Sequence, residues 1–80
     1  MKMSEQMINF IKDLITLYQE KYNETLFEEK GESEQDKVFR LGSNIAYYDC
    51  LDILESQLKA FGYDTEIFGV ITPELGKPDQ

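Results

Sequence analysis

Eighty residues make a single domain, of a size at which one hydrophobic core is marginal and disulfides, a metal or oligomerisation usually supplement it. One cysteine and no histidine exclude an intrachain disulfide and a zinc or haem site built on cysteine and histidine, which leaves oligomerisation. Sixteen acidic residues against eight basic ones give a net charge of −8, which disfavours direct binding to nucleic acid or to anionic lipid.

The amino end, MKMSEQMINFIKDLITLYQE, has no unbroken apolar run and reads as neither a signal peptide nor a membrane span. A cytoplasmic protein with a reduced thiol is the expectation. Ser4 is placed to cap a helix, with Glu5 in its first turn and Met3 and Ile8 at the spacing of a hydrophobic staple. Met7, Ile8, Phe10, Ile11, Leu14, Ile15, Leu17, Tyr18 and Tyr22 then fill one face about 180° wide at 100° per residue. That is more than one neighbouring helix covers.

Leu26 continues the stripe, while Glu24, Glu28 and Glu29 oppose the negative end of the helix dipole, so fraying is expected after about Tyr22. Gly31 ends the helix by about residue 30, and Ser33 with Asp36 reads as a capping box for the next. A connection of only Lys30 to Ser33 makes the neighbours antiparallel.

The second helix, from about 34 to 61 with Gly62 just beyond, lies in the stretch that organises the chain, Val38 to Phe61. Asp36 with Arg40, and Glu55 with Lys59, are acid-first pairs one turn apart. Its apolar face rotates. Val38, Phe39, Leu41, Gly42, Ile45 and Ala46 share one side, while Tyr47, Cys50, Leu51, Leu54, Leu58 and Phe61 lie about 160° further round. Ideal drift is about 20° per heptad, so the two halves must bury against different things. Gly42, Ala46 and Cys50 recur every fourth residue, a seam where another backbone can come near or a point where the helix bends.

Residues 63–72 read as an arm, short strand or extended, that completes a domain spanning 1–72. From Pro73 on, 73–80 reads as a disordered tail. The expected fold is an all-α antiparallel two-helix hairpin, about 4–30 and 34–61, dimerising into a four-helix bundle. The expected interface is Leu41, Gly42, Ile45, Ala46, Tyr47, Tyr48, Cys50, Leu51 and Leu54.

No catalytic or cofactor constellation stands out, and a non-enzymatic protein is expected. Asp49, Asp52 and Glu55 form a slanting row suited in principle to a hard cation, but without the Glu-x-x-His pairs of helical carboxylate sites it reads as a solvated face. Cys50 lacks an activating base and has Asp49 and Asp52 beside it, which points to a buried thiol. Tyr18, Tyr22, Tyr47 and Tyr48 have no basic residues interleaved and fit an interface rim better than base stacking. The expected role is self-association and protein–protein interaction with an unidentified partner. The alternative is an acidic nucleic-acid mimic, of phage or mobile-element type, that occupies a basic protein.

Overall fold

The computed structural model describes residues 3–79 and is a helical hairpin, 49 × 20 × 16 Å. Helix α1 runs Glu5–Leu26 and helix α2 runs Glu34–Ala60; one 3-10 turn follows at Thr65–Phe68, then an irregular segment. Both expected caps form. The Ser4 hydroxyl accepts from the Met7 N–H at 3.1 Å, and the Ser33 hydroxyl accepts from the Asp36 N–H at 3.1 Å.

Helix α2 closes on a Schellman motif. The Gly62 N–H reaches the Lys59 carbonyl and the Tyr63 N–H reaches the Leu58 carbonyl, both at 3.0 Å, with Gly62 at φ +82°. That left-handed residue turns the chain back along the hairpin.

Helix α1 ends four residues before the expected limit of 30, because Phe27 is extended at φ −103°, ψ 139°. The last turn of α1 holds no basic residue, and α2 supplies the missing donors. Arg40 Nη1 donates to the carbonyls of Thr25 at 3.1 Å and Leu26 at 3.2 Å, and Asn44 Nδ2 donates to the carbonyl of Tyr22 at 2.7 Å. Arg40 also grips Glu32 with a two-pronged contact, Nε to Oε2 at 2.7 Å and Nη2 to Oε1 at 3.1 Å. The partner of Arg40 is therefore Glu32 and not Asp36, because the guanidinium turns toward the helix end that lacks donors. Glu55 and Lys59 do pair, at 3.0 Å.

Ile11, Ile15 and Tyr22 from α1, Leu51 and Leu58 from α2, and Ile71 from the arm form the core. The arm is thus part of the fold. Residues 73–79, expected to be loose, lie along α1, with Pro73 and Asp79 buried. Three α1 side chains, spaced to share one flank, satisfy the backbone of this irregular segment. Gln19 Nε2 donates to the carbonyls of Val70 at 2.9 Å and Ile71 at 3.2 Å. The Tyr22 hydroxyl donates to the Lys77 carbonyl at 2.7 Å, has the Glu74 carbonyl at 3.3 Å, and accepts from the Gly76 N–H at 3.2 Å. Asn23 closes a two-bond ring with Asp79, its amide donating at 2.9 Å and accepting at 2.7 Å.

Candidate interaction surface

The arm covers one flank of the hairpin and leaves the other bare. On the bare flank a shallow groove of about 270 Å³ runs between the helices, lined by Leu14, Tyr18, Cys50, Ile53, Leu54 and Gln57, none of them charged. Met7, Phe10 and Leu17 flank it on α1, and all three are exposed, as is Ile53 at 61 %. At 100° per residue Leu14 and Phe10 fall on the opposite side of Ile11 from Gln19 and Asn23, which explains why docking of the arm leaves them uncovered.

The residues expected at an interface between copies divide among several places. Leu41, Gly42, Ile45 and Ala46 are exposed, while Cys50 and Leu54 line the groove, half-buried. Tyr47 and Tyr48 are half-buried against the core. Leu51 is 0 % exposed and belongs to the interior of the single chain, because α1 and the arm together close over it. Tyr22 is corrected in the same way. It is also 0 % exposed, and its ring fills the core while its hydroxyl organises the 74–77 turn.

Gly42 has no heavy atom within 4 Å of where a Cβ would stand, so the seam makes no close approach within the chain. Sequence reasoning missed Gln19 and Asn23 as anchors of the arm and Ile53 as a surface residue. Ile53 carried a usable signal, since it belongs to neither of the two apolar clusters of α2.

The shifts at Glu32, Arg40 and Glu55 each serve the fold. The Arg40 guanidinium bonded to Glu32 holds that carboxyl below the ordinary glutamate value, and the same contact raises Arg40. The Thr72 hydroxyl beside Glu55, assisted by the Lys59 ammonium, holds Glu55 below the ordinary value against the opposing effect of burial. Glu55 is half-buried, whereas Asp49 and Asp52 are exposed. Among the described residues no group of three or more histidine, cysteine, aspartate or glutamate side chains is arranged to hold a metal ion. No helix among them is long and apolar enough to cross a membrane.

No family model matches the chain, and neither a curated protein nor a solved structure matches it.

Proposed function

We propose that this protein is non-enzymatic and acts through self-association and protein–protein interaction, two copies pairing through the uncharged groove into a four-helix bundle. The observation that carries this reading is the bare flank: Met7, Phe10, Leu17 and Ile53 are exposed on the side where Leu14, Tyr18 and Leu54 line the uncharged groove. Contiguous exposed apolar patches mark interaction sites.

The total surface supports the same reading. The chain exposes 5992 Å², whereas a folded monomer of this 9.4 kDa mass exposes about 5,000 Å². The excess is close to the ~800 Å² that each partner contributes to a standard interface. Helices carry their backbone hydrogen bonds internally, so a second helical hairpin can enter a groove that offers few polar partners.

Sedimentation velocity over a hundredfold concentration range tests the reading. The expected result is a dimer for the wild-type chain and a monomer for Ile53→Ser. A wild-type chain that stays monomeric throughout removes the proposal.

A further inference from the structure

Beyond the groove, α2 carries a second uncovered surface. Val38, Leu41 and Ile45 are turned from Leu51 and Leu58 by roughly 80–160°, counted at 100° per residue, so they turn away from α1. All three are exposed, Val38 at 68 % and Ile45 at 52 %, and Gly42 beside them leaves open space where a side chain would stand. The stripe is bracketed by charge. Glu34 lies one turn before Val38, and Asp49 and Asp52 lie one and two turns beyond Ile45; all three carboxylates are exposed. The pattern is acid, three apolar residues over two turns, then acid.

We infer that this stripe is a docking surface for a basic amphipathic helix of another protein, one with three apolar residues at the same spacing and lysine or arginine a turn beyond each end. This rests on the pairing reading above only in assigning the second copy to the groove. Charge decides between the two candidate occupants. If a second copy lay antiparallel on the stripe with Leu41 opposite its Ile45, Glu34 would stand opposite Asp52 of the partner subunit, twice over by symmetry. A parallel pair would set Glu34, Asp49 and Asp52 each against its own counterpart. The parallel register brings carboxylates together throughout, and the antiparallel one sets two Glu34–Asp52 repulsions against two Lys37–Asp49 attractions, so self-docking gains nothing from charge. A helix with basic ends turns the same carboxylates into attraction, and Gly42 lets its backbone approach closely.

The test uses a labelled synthetic helical peptide with leucines at that spacing and arginine at both ends, read by fluorescence anisotropy against the full chain. Binding is expected, weakening as salt rises, falling at least tenfold in V38S/I45S, falling severalfold in E34Q/D52N, and unchanged in I53S. The variants all lie on exposed positions, and circular dichroism reports whether each keeps its helices. A peptide with glutamate in place of arginine is expected not to bind. Equal binding to V38S/I45S, equal binding of the glutamate peptide, or no binding at all overturns the inference. Conversion of the dimer to monomer by V38S/I45S also overturns it, by giving the stripe to a second copy. The sedimentation of I53S reports on the groove separately, so failure of one reading is distinguishable from failure of the other.

Discussion

The two flanks of this hairpin are built from the same two helices and meet opposite fates. On one, α1 presents Gln19, Tyr22 and Asn23, and an irregular arm of the chain settles there; on the other it presents Met7, Phe10 and Leu17, which stay exposed among the described residues. The difference teaches what an irregular segment requires. Few of its amide and carbonyl groups pair with each other, as the Lys77 N–H does with the Glu74 carbonyl, so it buries Ile71 and Pro73 where side-chain amides and a phenol accept and donate for the rest. Apolar contact alone does not recruit such a segment. A greasy flank without those groups is left for a partner whose backbone is already satisfied.

Two isoleucines put the comparison to its strongest test. Ile71, 2 % exposed on the covered flank, should lose about 2–5 kcal/mol of stability when changed to alanine, by lost burial plus the cavity left behind. Urea unfolding measures it, and a loss below about 0.5 kcal/mol, the range of ordinary surface changes, would show that the arm does not hold its place. Next in size is Tyr22→Phe, which keeps the ring in the core and removes only the hydroxyl. It should cost about 1–3 kcal/mol by stranding the Lys77 carbonyl and the Gly76 N–H. Faster amide exchange in residues 74–79, with α2 unchanged, is the accompanying signature. An unchanged exchange pattern would mean that Ile71 alone anchors the arm.

Acid should loosen the covered flank and the turn together. Glu32 and Glu55 sit below the ordinary 4.5 when folded and return to it when unfolded, so at acid pH the native state binds fewer protons than the unfolded chain. Their contribution is complete above about 4.5 and is lost as pH drops through the folded values below it. Urea midpoints measured from neutral pH downward should therefore fall in that window. In Glu55→Gln the fall should be smaller, and a slope identical to that of the wild type would remove Glu55 from the account. Smallest of all is Ile53→Ala on the bare flank, expected within about 0.5 kcal/mol when measured at concentrations low enough to keep the chain monomeric. A core-sized loss there would show that the bare flank is packed within the chain.

The helices were legible because their signals are local. Ser4 and Ser33 cap where a serine before an acidic first turn predicts, Gly62 takes the left-handed position, and the apolar spacing of Ile11, Ile15 and Leu58 marks a buried face. Less was legible at the ends. Arg40 stands one turn from Asp36 and was expected to pair with it, but the end of α1 lies within its reach and offers bare carbonyls as well as Glu32. The tail looked free because ELGKPDQ has only one large apolar residue, Leu75, and that residue is exposed. The hydrogen bonds from Tyr22 and Asn23 reach the tail through its backbone, and a backbone leaves no trace in residue type.

The interface was harder still. The rotating face of α2 says that its two halves bury against different things, yet within the chain Val38, Leu41 and Ile45 stay exposed, and Leu51, assigned to a second copy, is enclosed by the chain's own α1 and arm. Periodicity gives the direction in which a side chain points along its helix. It does not say what stands there.

The sequence by itself determined that this chain makes two capped helices with more apolar surface than one contact can hide, since capping, turn chemistry and helical period act over a few residues. Only the tertiary structure decided which flank that surface was spent on. The choice depends on side chains some fifty residues apart in sequence, Gln19 with Val70 and Tyr22 with Lys77, and hydrogen bonds across such separations are set by the folded geometry alone.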